Sequence, residues 1–211
     1  ATRAGALAVL DRYGLRERVP AAIVAALTEP EPARATPAGG PLRIVADNAL
    51  AVDAARVTAE AAGRRAAVIW SARTGEAREQ AVAWVDACAA AADDIDVLLG
   101  GGELTVTVNG DGIGGRNTEF ALAAALELER RGMSAWTVGS LATDGEDGPT
   151  GVAGAIADAT LPARCRAAGV DPVASLAAND SLAAVRAGGV VVSPGPTGTN
   201  VNDCFFAVRT R

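Results

Sequence analysis

The sequence of 211 residues contains no histidine and no lysine, so all 19 of its basic residues are arginines. Lack of histidine excludes Ser-His-Asp and Cys-His catalysis, an imidazole general base and histidine-ligated metal. Lack of lysine excludes a P-loop, which needs that residue beside the phosphates. The three cysteines, Cys88, Cys165 and Cys204, are far apart and form no CxxC pattern. Neither a disulfide framework nor a zinc site is expected, and a reducing cytosol is the simplest compartment. Aromatic residues make up only 3% of the chain. Trp70, Trp84, Trp136, Phe120, Phe205 and Phe206 are scattered, which reads as core rather than as a stacking platform for bases. No apolar run approaches a membrane span, because the best candidate, Ala81 to Leu99, is interrupted by Asp86, Asp93, Asp94 and Asp96. Positive charge is also in deficit: 25 acidic against 19 basic residues give a net charge of -6. Nucleic acid and anionic membrane are therefore not expected as partners, since both demand a basic surface. No initiator Met and no signal-peptide layout stand at Ala1, so the chain reads as a fragment.

What is present is apolar material, 50% of the residues, enough for one large domain or two small ones. Ala4 to Tyr13 and Pro20 to Leu27 read as short amphipathic helices. The proline-rich stretch Glu29 to Pro41 reads as a linker, so residues 1–41 form a helical attachment segment. Strands are expected at Leu42 to Ala46, Ala66 to Ser71 and Ile95 to Leu99, alternating with helices at Leu50 to Ala62 and Gly75 to Ala91. Such alternation predicts βαβ units and a partly parallel sheet, a Rossmann-like portion over residues 42–99. The β-branched run Leu104 to Val108 reads as a further strand. Its connection from the previous one is too short for a crossover helix, which makes the sheet mixed. Beyond it come a helix from Asn117 to Arg131, a strand Ala135 to Leu141 and a small-residue stretch Gly151 to Ala157. Three short helices, near Leu161 to Ala168, Val173 to Ala177 and Ser181 to Ala187, precede strands Val190 to Val192 and Cys204 to Val208. The fold class is α/β, a mixed sheet with flanking helices.

Three loops gather glycine with acid, amide and hydroxyl groups where strands should end, the edge at which open α/β sheets bind ligands. In the first, Gly100 to Glu103 and then Gly110 to Glu119, Gly110, Gly112 and Gly115 satisfy GxGxxG. The acid that a dinucleotide site needs about 20 residues later is missing. The loop does offer a helix N-terminus for an anion, with Arg116 beside it as a bidentate donor. The plain alternative is a tight turn with Arg116 solvated. The second loop, Thr143 to Thr150, carries Asp144 and Asp147, suited to Mg²⁺ or to taking a proton from a hydroxyl, or else simply an acidic turn. The third, Ser193 to Asp203, could present backbone N–H groups from Gly198 to Asn200 together with Thr197 and Thr199 as an anion-holding nest, or serve as a rigid Pro-Gly connection.

Read together, GGGELTVTVNGDGIGGRNTEF, LATDGEDGPT followed by AGAIAD, AAND, and SPGPTGTNVND resemble the successive signatures of the MOFRL-type glycerate kinases, the glycerate 2-kinase family. The resemblance runs from about Ala4 to Val208 and makes residues 100–211 the MOFRL-type α/β domain. It implies ATP-dependent phosphorylation of D-glycerate at the 2-hydroxyl, with Mg²⁺. It places Arg116 on the transferring phosphoryl group or the glycerate carboxylate, and Asp144 and Asp147 as general base and metal ligands. Glu103, Asn117, Glu119, Thr143, Thr199 and Asn200 become substrate or phosphate contacts. Family members resemble a longer two-domain protein whose N-terminal, Rossmann-like half carries a lysine. That missing half is the first partner expected, and a homodimer is compatible with it. Two alternatives stay open: an NAD(P)H-dependent hydroxypyruvate reductase and a non-catalytic module that binds a small anion.

Overall fold

The computed structural model describes residues 2–31, 40, 41 and 43–210. The chain divides into two units, Ala1–Arg43 and Ile44–Arg211. The first unit holds α1 (Arg3–Arg12), capped by the Thr2 hydroxyl, and α2 (Ala21–Thr28); neither buries a residue. Most of the expected linker, residues 32–39, lies outside the described residues.

The second unit is a six-stranded sheet with helices packed on it. Its elements are α3 (Asn48–Ala61), β1 (Ala66–Arg73), α4 (Ala77–Ala90), β2 (Val97–Gly102), α5 (Arg116–Arg131), β3 (Trp136–Ala142), β4 (Gly154–Asp158), α6 (Leu161–Ala167), α7 (Pro172–Ala177), α8 (Ser181–Gly188), β5 (Val190–Val192) and β6 (Asp203–Arg209). The strand order is β1-β2-β6-β3-β4-β5. Only β1 and β2 run parallel, and every other pair is antiparallel, so the sheet is mixed. The sheet draws on both sides of residue 99, which itself lies inside β2.

Two sequence expectations fail and one strand goes unassigned in the sequence, each for a physical reason. Residues 43–46 form no strand, and Ile44 and Val45 stand 71% and 81% exposed without a pairing partner; Leu42 lies outside the described residues. Leu104 to Val108 is not a ladder strand, because both edges of β2 are already taken by β1 and β6. The segment instead makes one isolated bridge, Thr105 to Glu76. The Glu76 carboxylate fastens it by accepting from the Thr105 hydroxyl, the Thr107 amide and the Thr107 hydroxyl. These bonds, the Thr107 amide foremost, hold the Glu76 carboxyl below its ordinary range. The small-residue stretch becomes β4, a strand that sequence reasoning missed because Gly and Ala carry little strand preference.

Helix α5 is the central element. It starts where Thr118 Oγ1 accepts from the Gly115 amide, and it stops at Gly132, whose φ of +67° leaves the helical region. Phe120, Leu122, Ala124, Ala125 and Leu128 along it are wholly buried. Phe120 meets Trp84 and Phe205 at centroid distances of 6.2 and 5.2 Å, forming the aromatic centre of the core. Across the sheet's other face, α3 packs Val52 against Val97 and Leu99. On that face a Cβ at Gly139 would run into the Phe206 ring. Gly139→Ala is therefore expected to destabilise the fold by about 1–3 kcal/mol, the usual cost of overpacking, seen as a lower urea midpoint.

In the last turns of α5, Glu127 accepts from Arg130 at 2.6 and 2.7 Å and from Arg131 at 2.5 Å. The Arg130 bonds foremost, then those of Arg131, hold the Glu127 carboxyl at about 2 rather than its ordinary 4.5. A carboxyl lowered on folding contributes stability that is fully present above its unfolded pKa and lost as pH falls through the folded one. Thermal midpoints should therefore drop between about pH 4.5 and about pH 2, and Glu127→Gln should flatten part of that drop.

Candidate active site

Strand register brings the expected loops to one edge. Gly102 on β2 pairs with Asp203 on β6, and Asp203 pairs with Ala142 on β3, so the three residues form a row across adjacent strands. Glu103 leaves that row from β2, Thr143 and Asp144 leave it from β3, and Val201 and Asn202 enter it ahead of β6. Arg116, the first residue of α5, reaches the same row from the glycine loop.

The Arg116 guanidinium grips Asp203 with two bonds, Nε to Oδ2 at 2.5 Å and Nη2 to Oδ1 at 2.9 Å. Glu103 Oε1 lies 4.0 Å from Nη2. The Arg116 side chain is 24% exposed and the Asp203 side chain wholly buried. Burial pushes the Asp203 carboxyl up from its ordinary value, and the Arg116 hydrogen bonds and charge offset part of that. The hydrogen bond from Arg116 to Asp203 in turn holds the guanidinium's pKa up. The two directions pull oppositely on the pair's charge; the fork-on-carboxylate geometry is that of an ion pair, and we take both groups as charged.

Around this pair the loops bind one another. Asn202 Nδ2 donates to Glu103 Oε2 at 3.2 Å. Thr143 Oγ1 donates to the Asn202 carbonyl and accepts from the Val201 amide, both at 2.8 Å. Thr197 donates its hydroxyl to the Thr143 carbonyl at 2.6 Å, and its amide bonds the Asp144 carbonyl. Asn200 Nδ2 donates to Asp144 Oδ2 at 3.1 Å. Thr199 stays exposed in the same loop. Thr143 thus works mainly as a staple between the second and third loops, while Glu103, Asp144, Asn200 and the outer side of Arg116 face solvent.

Three of the expected site residues do other work. Asp147 is wholly buried and accepts from the Asn117 amide (2.9 Å), the Asn117 side chain (3.2 Å), the Thr118 amide (2.8 Å) and the Thr118 hydroxyl (2.9 Å). It is the built-in anion at the α5 N-terminus, which leaves that end of the helix dipole already satisfied. Asn117, also wholly buried, accepts the Ser140 hydroxyl on its amide oxygen. Glu119 lines a cavity of about 290 Å³ beside Arg116 and the segment Leu104 to Val108. Its oxygens are committed to Arg78, at 2.9 and 3.0 Å, and to Asn179 Nδ2 at 3.3 Å. Asn179 also accepts from the Asn109 and Gly110 amides, pinning the glycine loop.

The glycine loop itself is explained by close packing. A Cβ at Gly110 or Gly112 would strike the Ala178 carbonyl, one at Gly114 the Ser181 hydroxyl, and one at Gly115 the Asp147 side chain. The GxGxxG glycines thus accommodate the chain's own backbone and side chains, and a pyrophosphate cradle is not needed to account for them. Sequence reasoning missed Asp203 as a site residue. The signal was available in its period of two: Asp203, Phe205 and Ala207 all turn to the buried face. Arg78 carried no such signal. Among the described residues, no group of three or more His, Cys, Asp or Glu is arranged to hold a metal, and no helix is long and apolar enough to cross a membrane.

A mixed α/β sheet with an edge at which an arginine from a helix N-terminus meets carboxylates defines the class of protein. The MOFRL family matches residues 96–203, and the chain belongs to that family. It is 47% identical over 111 residues to a D-glycerate 2-kinase of Thermotoga maritima, covering 53% of this chain and 26% of that protein. It is 39% identical over 213 residues to a putative hydroxypyruvate reductase of Agrobacterium vitis, covering 96% of this chain and 47% of the relative. The crystal structure of a glycerate kinase from Thermotoga maritima superposes with a TM-score of 0.79 at 33% identity, covering 100% of this chain and 51% of that one. The chain spans about half or less of the length of these relatives.

Proposed function

We propose that the full-length protein is a glycerate kinase that transfers the γ-phosphoryl group of ATP to the 2-hydroxyl of D-glycerate. The observation that carries this reading is the Arg116 guanidinium, fixed on Asp203 at an edge that also presents Glu103, Asp144 and Asn200. Phosphoryl transfer depends on positioning and charge neutralisation more than on covalent help from the protein. Arg116 is suited to the transferring phosphoryl oxygens or the glycerate carboxylate. The substrate hydroxyl oxygen attacks the γ-phosphorus, the bond to the bridging oxygen breaks, ADP leaves, and Asp144 takes the hydroxyl proton. Glycerate kinase relatives over both the sequence and the fold support the reading.

Mg²⁺ binds through one or two carboxylates plus substrate phosphates and water, so it does not require a protein cage. Asp144 fits such a contact through one oxygen, which would leave the other for the hydroxyl proton: it is half-buried at the loop tip, and its two oxygens accept one bond each, from the Glu146 amide and from Asn200. Asp147 does not fit, because α5 occupies both its oxygens. When bound, the ion supplies neutralisation of phosphate charge. Counting Arg116, and Arg73 which pairs with Gly102 from β1, against Glu103, Asp144 and Asp203, the edge is acidic on balance, so further positive charge must come from the ion and from the remaining half of the protein.

The test is a phosphorus NMR spectrum of the product formed by the full-length protein from ATP and D-glycerate. A 2-phosphoglycerate resonance is expected. Oxidation of NADH with hydroxypyruvate, and no phosphorylated product, would overturn the reading in favour of a reductase.

A further inference from the structure

We propose that Asp203 is a positioning residue: it sets the plane of the Arg116 guanidinium so that the Nη1 group faces the anionic substrate. The inference rests on the kinase reading for what the arginine meets, and on the structure alone for how the arginine is held.

An arginine has five N–H donors in a rigid plane. Asp203 takes the Nε edge and one Nη2 donor, at 2.5 and 2.9 Å, while Nη1 makes no hydrogen bond among the described residues. Two parallel bonds on one edge fix both the direction and the tilt of the plane, which a single contact or a lone charge could not. The holder is itself rigid. Asp203 opens β6 and is paired on both sides, with Gly102 and with Ala142. Its backbone carbonyl accepts from Asn48 Nδ2 at 2.9 Å, a bond that also ties down the start of α3. A carboxylate that is wholly buried is costly unless paired, and Arg116 is the cation on it. The same side chain therefore answers two needs. Arg116 makes the burial of Asp203 tolerable, and Asp203 removes from Arg116 the rotational freedom that a surface arginine keeps. The arrangement gives up part of the guanidinium's net charge in exchange for orientation, which suits a group that must match a phosphoryl or carboxylate plane at one instant of the reaction.

A double-mutant cycle on kcat/KM for D-glycerate in the full-length protein tests this. Asp203→Asn is expected to lower kcat/KM about tenfold or more, since small misplacements of a catalytic group carry losses of this size. In an Arg116→Ala background the same change should have no further effect on kcat/KM, because there is no guanidinium left to orient. Should the asparagine variant unfold, Asp203→Glu, which keeps the charge and moves the carboxylate, enters the cycle in its place. Independently of turnover, the arginine side-chain NMR spectrum of the wild type should show Arg116 with a protected Nε–H and restricted rotation about Cζ–Nε. Equal losses with and without Arg116, or a freely rotating Arg116, would overturn the proposal. If the wild type makes no phosphoglycerate, the kinase reading falls while the NMR spectrum still decides whether the clamp exists.

Discussion

Arg116→Ala in the full-length protein is expected to lower kcat/KM for D-glycerate by about 100-fold or more, the scale of losing one preorganised charge-stabilising donor. The expectation rests on geometry. The Arg116 guanidinium bonds Asp203 in the row formed by Gly102, Asp203 and Ala142, and its side chain is 24% exposed, so a ligand can reach it. Truncation also leaves Asp203 as a buried carboxylate without its guanidinium, so the thermal midpoint should fall as well. Arg116→Lys separates the two effects. It keeps a positive charge near Asp203 but cannot reproduce the fork, so more stability than activity should be recovered. A loss of activity below about threefold in the alanine variant would place Arg116 outside the site.

Asp147→Ala should cost at least about 3 kcal/mol of stability. It removes an ionised acceptor from two buried backbone amides and the Thr118 hydroxyl, and donors left unpaired in the interior are penalised on top of the lost bonds. Asp147→Asn, which keeps one acceptor oxygen, should fall between wild type and alanine. Urea unfolding of the full chain measures both. A metal ligand or general base would behave differently, with turnover lost at an unchanged midpoint. That result would return Asp147 to the chemistry and remove it from the role of helix cap.

Alternating apolar strands and periodic helices were readable in the sequence because they reflect burial, which period alone encodes. The helices α3 to α8 and the strands β1, β2, β3, β5 and β6 appear within a few residues of where periodicity puts them. What period cannot encode is pairing. Leu104 to Val108 has every local mark of a strand, yet β2 has no edge to offer it. Gly154 to Asp158 has few such marks and pairs on both sides, with β3 and β5. The site was legible to a similar depth. Loop composition pointed to the polar connections that the register brings to one edge. Composition could not tell which carboxylates point outward. Asp144 and Asp147 are three residues apart in one acidic loop, and only the position of α5 decides that the second is sealed beneath a helix end. Asp203 went unread for the opposite reason, because an acid at the head of an apolar strand looks like the last residue of a loop.

The most direct measurement is a crystal structure of the full-length protein with D-glycerate bound. The substrate should lie at the edge formed by Gly102, Asp203 and Ala142, with its carboxylate or its 2-hydroxyl within hydrogen-bond distance of Arg116 and with Asp147 still buried under α5. Substrate density on another face of the sheet, with the Arg116 and Asp203 pair untouched, would contradict the account.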